Sequence, residues 1–181
     1  MQDSLTITLV DPRSTEARAI VTRFFDDIVS RYWGRPATTA EVEKAMRDEP
    51  SDDLDGDGGF LLIVRDGAEA VGCGGMRVVE RGVGEVTRVF TDDGVRGRGV
   101  GRAVIAEIES ISARRGIRTL RLTVRDDLTD AHRLYRRLGY EPVEPFSASP
   151  YADHQLAKTL AGPPEETRLS RAWRRRGASS P

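Results

Sequence analysis

Arg96-Gly97-Arg98-Gly99-Val100-Gly101 is the stretch on which the reading of this chain turns. Its flanks have different periods. Upstream, Glu85-Val86-Thr87-Arg88-Val89-Phe90-Thr91 is strand-like; downstream, Val104, Ile105, Ile108 and Ile111 fall on one helix face, with Glu107 and Arg114 outside. A helix start leaves backbone N–H groups without internal partners and carries partial positive charge. Glycines at alternating positions remove the side chains that would hold a bulky anion away, so the loop can donate several N–H bonds to a diphosphate. Arg96, Arg98 and Arg102 can add charge-assisted contacts to its oxygens. A P-loop is excluded, because Gly101 is followed by Arg102-Ala103 rather than Lys and Ser or Thr. A dinucleotide fingerprint needs its third glycine at Arg102 or Val104, and neither register has it. A glycine-rich turn that merely opens a helix is the plain alternative.

Before this unit, Leu5 to Leu9 alternates as a half-buried strand. Ser14 can cap a helix carrying Ala17, Ile20, Val21, Phe24, Ile28 and Val29 on one side. Thr38 and Glu41 have capping-box spacing for a second helix, with Val42, Ala45 and Met46 as its stripe and Pro50 as its stop. The acidic run to Gly59 reads as a loop. Asp53, Asp55, Asp57 and Gly58 imitate a calcium loop, but the twelfth position, which must supply a bidentate glutamate, is Val64. Phe60 to Arg65 is an apolar strand, Asp66-Gly67 a hairpin signal, and Ala70 to Val79 the return, with Gly72, Gly74 and Gly75 permitting bends or close approach. Past the central helix, which begins after Arg102 and is closed by Gly116, Thr119 to Val124 is a strand and Thr129 to Leu138 a helix closed by Gly139. Tyr140 to Val143 and His154 to Leu160 form a last strand pair. The expectation is a mixed α+β sheet in which a strand–loop–helix–strand unit interrupts hairpins.

Composition narrows the function. The chain has 181 residues, one domain's worth, and a net charge of −1, so no global field favours nucleic acid, membrane or an acidic partner. Cys73 is the only cysteine, which rules out an internal disulfide and any multi-cysteine metal site and fits a reducing compartment. No secretory signal pattern and no apolar run near the roughly 20 residues of a membrane span is present, so a cytoplasmic location is expected. His132 and His154 lack ligand-spaced partners, and no metal is expected. Residues 1–161 read as one domain and 162–181 as a basic tail with five arginines. That tail is a solvated end, or less simply a nucleic-acid contact.

The glycine loop and its surroundings resemble the GNAT superfamily of N-acetyltransferases. Arg96, Gly99 and Gly101 fill the family pattern of Arg or Gln, two residues, Gly, one residue, then Gly or Ala. Gly84 to Thr91 looks like the preceding strand, and Leu134-Tyr135 with Leu138-Gly139-Tyr140 like the later helix end. Pro145-Phe146 and Tyr151-Ala152-Asp153 resemble the C-terminal hairpin of one bacterial subgroup. The likeness runs from about Phe60 to Leu160. It implies a GNAT-like acyl-CoA N-acyltransferase fold, a mostly antiparallel sheet splayed between two parallel strands, Glu85–Thr91 and Thr119–Val124, with helices on both faces. It implies acetyl-CoA as cosubstrate, with main-chain groups of Val89, Phe90 and Thr91 on the pantetheine arm. Arg96, Gly97, Arg98, Gly99, Val100 and Gly101 would hold the pyrophosphate, with Arg102 added to this cofactor-binding set by its charge. Two departures stand out. Leu128 replaces an Asn or Gln that many relatives place three residues before the alanine opening the later helix. Thr123-Val124-Arg125 stands where the subgroup often has Glu-Thr-Gly.

The implied reaction is transfer of an acetyl group to the amine of a small molecule through a ternary complex. An alkyl ammonium with pKa near 10 costs about 4 kcal/mol to deprotonate at pH 7. Glu85 is the candidate base, with an exposed strand carboxylate paired to an arginine as the other reading. Tyr135 is the candidate acid for the leaving thiolate, or else a tyrosine packed at the core edge. Backbone N–H groups near Val89 and Phe90 are candidate oxyanion donors. Tyr32 and Trp33 either line the acceptor pocket or cap the core. Cys73, in an apolar strand, is not expected to act as a nucleophile. A non-catalytic acyl-CoA sensor is the competing function, and a homodimer is left open.

Overall fold

A computed structural model describes residues 5–162 of the protein, so the expected tail lies, except for Gly162, outside the described residues. The elements are β1 (Leu5–Val10), α1 (Thr15–Trp33), α2 (Thr39–Asp48), β2 (Gly59–Asp66), β3 (Glu69–Glu80), β4 (Val83–Thr91), α3 (Val100–Arg114), β5 (Thr119–Val124), α4 (Thr129–Arg137), β6 (Glu141–Pro142) and β7 (His154–Thr159). The seven strands run in the order β1-β2-β3-β4-β5-β7-β6, antiparallel except for β4 beside β5. None of the described helices is long and apolar enough to cross a membrane.

Local chemistry sets the helix ends. The Ser14 side chain accepts from the Ala17 N–H, and Gly34 closes α1 in the left-handed conformation. Thr38 and Glu41 form the reciprocal capping box of α2. The α3 helix starts at Val100, three residues earlier than its apolar stripe suggests, because Gly99 at φ +82° turns the chain directly into it.

Each face of the sheet covers its own core. On one side α1 and α2 pack Ala17, Ile20, Val21, Phe25 and Val42 against Leu61, Ile63, Cys73 and Phe90. On the other, Val104, Ile105 and Ile108 of α3 lie against Leu62, Met76, Val86, Leu120 and Leu122. Burying each such side chain is worth about 1.5–3 kcal/mol. The approach of α3 is close at Gly74, where an added Cβ would overlap the Val104 side chain. In α1 Phe25 is buried in the core, while Phe24 is partly buried and packs against its edge. The last strand pair is also shorter than expected. Tyr140 is buried ahead of the strand, Glu141 and Pro142 pair with β7, and Val143 adds one N–H bond to Gln155 O at 3.0 Å.

The feature that makes a site is a gap in the sheet. β4 and β5 pair only at Val83–Thr119, Gly84–Leu120 and Glu85–Arg121, after which the strands part. Beside the gap, the register of β3 against β4 slips between Cys73 and Gly75, and Arg88 takes φ +56°. A left-handed φ at a bulky residue is a backbone outlier, costing about 1–3 kcal/mol, and must be held by its surroundings.

Candidate active site

Where β4 and β5 part, a cavity of about 1380 Å³ opens, bounded by α1, α2, β4, the start of α3, the end of β5, α4 and the loop before β7. That volume exceeds the roughly 300–1,000 Å³ usual for one small ligand, so it can take two reactants.

One end is main chain. Gly97 and Gly99 have φ of +80° and +82°, and a side chain at either would be strained. The first helical bond of α3 runs from Ala103 N–H to Gly99 O at 3.0 Å. The N–H groups of Val100, Gly101 and Arg102 therefore point out of the helix without a backbone acceptor among the described residues. Val100 itself anchors this turn by burying its side chain in the core. Arg96 reaches back to Thr91 O at 3.2 Å and pairs with Asp93 at 2.8 Å and Asp27 at 3.4 Å. Arg98 is held by Asp66 at 2.6 Å and, unlike its neighbours, does not line the cavity. Arg102 lines it and has no ion-pair partner among the described residues.

The middle contains both expected catalytic groups. Val89, Phe90 and Thr91, beyond the irregularity in β4, line the wall together with Glu85 on one strand and Tyr135 on α4. The Glu85 Oε2 accepts from Arg121 Nε at 3.2 Å, and Arg121 in turn lies 4.2 Å from the Phe146 ring centre. The carboxylate is thus arginine-paired and also cavity-facing; its Oε1 has no partner among the described residues. Tyr135 is buried, edge-on to Tyr140 at 5.8 Å, and burial raises its phenol well above the ordinary value. Leu128 caps α4 without a side-chain bond and adds an apolar patch to the wall.

The other end is side chain. Arg88 is 3% exposed. Its guanidinium donates to Glu49 O at 2.7 Å, Ser51 Oγ at 2.9 Å, Thr87 Oγ1 at 3.0 Å and Glu49 Oε2 at 3.2 Å, and it stacks 4.8 Å from the Phe25 ring centre. It ties the bulged strand to the segment after α2, and nothing local in the sequence announces it. The remaining basic groups here are also committed: Arg31 to Asp27, Lys44 to Asp48, Arg77 to Asp53 and Arg125 to Asp127. Tyr32 and Trp33 do not cap the core; they are half-exposed and line the cavity, joined there by Tyr151.

Other groups lie elsewhere. Cys73 is fully buried, its Sγ donates to Arg88 O at 3.1 Å, and burial pushes its thiol up to about 12, which suppresses the reactive thiolate. Asp53 and Asp55 of the calcium-like run are held by Arg77 and Arg13. His132 and His154, unconnected in the sequence, stack with ring centres 4.4 Å apart.

A sheet parted between two parallel strands, with an anion-seeking helix start at the gap, defines an acyl-CoA N-acyltransferase fold. The profile of the Acetyltransferase (GNAT) family matches residues 23–140, and the chain belongs to that family. It is 31% identical over 104 residues to an IAA acetyltransferase of Azospirillum brasilense, spanning 57% of this chain and 67% of that protein. It is 35% identical over 94 residues to an uncharacterised N-acetyltransferase of Methanocaldococcus jannaschii, which covers 50% of this chain and only 42% of the relative. Among solved structures, a Klebsiella pneumoniae chain assigned as an acyl-CoA N-acyltransferase matches with a TM-score of 0.67 and 27% identity over 88% of this chain and all of that one. PaiA N-acetyltransferase of Thermoplasma acidophilum, solved with coenzyme A, matches at 0.66 over 87% of this chain and 99% of its own; at 15% identity it shows the fold alone. The protein is an N-acetyltransferase with acetyl-CoA as cosubstrate.

Proposed function

We propose that the protein, through a domain spanning residues 1–161, transfers the acetyl group of acetyl-CoA to a primary amine of a small molecule by direct attack. The observation that carries this reading is that one cavity is lined by the unpartnered N–H groups of the α3 start, by Glu85 and Tyr135, and by side chains of α1, α2 and the loop before β7. The relative named for IAA supports a small-molecule acceptor. In this reading the amides and glycines of residues 96–101, with Arg102, hold the diphosphate. The main chain of Val89, Phe90 and Thr91 lines the pantetheine arm.

The chemistry follows from Glu85 and Tyr135. Glu85 Oε1, free of Arg121, accepts a proton from the ammonium directly or through one water. The amine lone pair attacks the thioester carbonyl carbon, and N–H groups near Val89 and Phe90 stabilise the oxyanion. As the oxyanion re-forms the carbonyl and the C–S bond breaks, Tyr135 gives its proton to the departing sulfur, and the nitrogen sheds its second proton, through water, to the tyrosinate left behind. The burial that raises the phenol also raises the proton affinity of a thiolate leaving beside it, so the two remain matched.

Release of free thiol from acetyl-CoA with a panel of amines tests the reading. Tyr135→Phe is expected to lower kcat about 100-fold with unchanged cofactor affinity, and Glu85→Gln to lower it by a similar factor, about 100-fold, at neutral pH. Wild-type rates in both variants would remove the acid and base roles. Tight cofactor binding with no turnover of any amine would instead indicate a sensor.

A further inference from the structure

The acceptor end of the cavity has a composition of its own. Five large apolar side chains are strongly exposed among the described residues, and three of them, Tyr32, Trp33 and Tyr151, stand together on this cavity. Scattered exposed apolar groups need no explanation, but a clustered set at the rim of a pocket does. The rings come from separate parts of the chain, the end of α1 and the loop before β7. Tyr32 meets Trp33 at 5.0 Å and Tyr151 at 5.5 Å between ring centres, each pair nearly perpendicular at 81°.

This cluster is braced. Arg125 stacks on Tyr32 at 5.4 Å while bonding both oxygens of Asp127 at 2.7 Å and Ile28 O at 2.8 Å, so one side of the ring is fixed. Gln155 shapes the loop that brings Tyr151: its Oε1 accepts from the N–H groups of Phe146 at 2.7 Å and Ser147 at 2.9 Å, and its Nε2 donates to Ser147 O at 2.8 Å. The rings nevertheless remain 50%, 54% and 48% exposed. A surface of pre-set aromatic edges and faces offers an aromatic guest offset or edge-on packing at little ordering cost.

Charge separates the candidate guests further. Among the described residues, each cation around the rings already has a carboxylate partner: Arg125 has Asp127, Arg35 has Glu41, and Arg31 shares Asp27 with Arg96, so a guest carboxylate would compete with one already in place. Glu85 Oε1, which lines the cavity and has no partner among the described residues, instead suits an ammonium.

We infer that the acceptor is an aromatic amine without a carboxylate, its flat body seated on Tyr32, Trp33 and Tyr151 and its nitrogen directed toward Glu85. The inference rests on the acetyl-transfer reading above.

The experiment compares phenethylamine and tryptamine with hexylamine, spermidine and phenylalanine as acceptors, following thiol release, alongside calorimetry with coenzyme A. The aryl amines are expected to exceed the aliphatic amines and phenylalanine by about tenfold in kcat/KM. Trp33→Leu and Tyr151→Ala, both at half-exposed positions, should raise the phenethylamine KM about tenfold while the acetyl-CoA KM stays within about twofold. Aliphatic amines or phenylalanine matching the aryl amines, or an unchanged phenethylamine KM in both variants, would overturn the inference and leave acetyl transfer standing. Binding of coenzyme A with no turnover of any amine would overturn the transfer reading itself.

Discussion

At the α3 end of the cavity the surface offered to a ligand is main chain, arranged by glycines at 97, 99 and 101 within six residues of sequence. At the α1–α2 end it is side chain, assembled from Tyr32, Arg88, Arg125 and Tyr151, which lie far apart along the chain. The first construction binds through groups that every residue has, so its signature is the absence of side chains and survives changes elsewhere. The second depends on who meets whom across the fold. An invariant cosubstrate suits the first and a particular acceptor the second.

The sharpest way to break this contrast is Arg88→Ala. The change removes five guanidinium hydrogen bonds and the stacking on Phe25, while Ala inherits the φ of +56°. We expect about 3 kcal/mol lower unfolding free energy in urea, with the acceptor KM rising far more than the coenzyme A dissociation constant. An equal loss at both ends would show that Arg88 serves the whole cavity. Next in size is Gly99→Ala. At φ +82° an L-residue costs about 1–2 kcal/mol, and a loop that relaxes to avoid it turns the open N–H groups aside. Calorimetry should show about tenfold weaker coenzyme A binding, with the acceptor KM unmoved.

The smallest effect concerns pH. Bonds from Arg35, and then from the Thr38 N–H, hold the Glu41 carboxyl at about 2, against 4.5 ordinarily. A depressed carboxyl contributes stability that is complete above 4.5 and fades as pH falls toward 2, because the unfolded chain takes the proton first. The melting temperature of Glu41→Gln should therefore fall less steeply over that acid window than the wild type's. A parallel fall would show that this cap does not couple to global unfolding.

What was legible in the sequence divides along the same line. The caps at Ser14 and Thr38, the hairpin at Asp66-Gly67 and the glycine loop were readable, because each is a contract between residues a few positions apart. Phe24 and Phe25 were not separable by periodicity; the sheet takes Phe25, while Phe24 lies 5.6 Å from the Arg88 guanidinium at the cavity wall. The clamp of Arg88 on Glu49 and Ser51 spans more than 35 residues, and the stacked histidines 22, so no local pattern announced either. Glu85 was recognisable as a strand carboxylate at the gap, but its bond to Arg121 follows from the parallel register that sets the two residues side by side.

The burial of Cys73 has a practical consequence. A chromogenic disulfide that counts liberated coenzyme A will draw no background signal from the folded enzyme, whose solitary sulfhydryl is sealed beneath α1 against the Arg88 carbonyl. When the fold opens, that sulfhydryl becomes reactive all at once. One cuvette can therefore report both turnover and the moment of denaturation, the latter as a step of a single equivalent per chain.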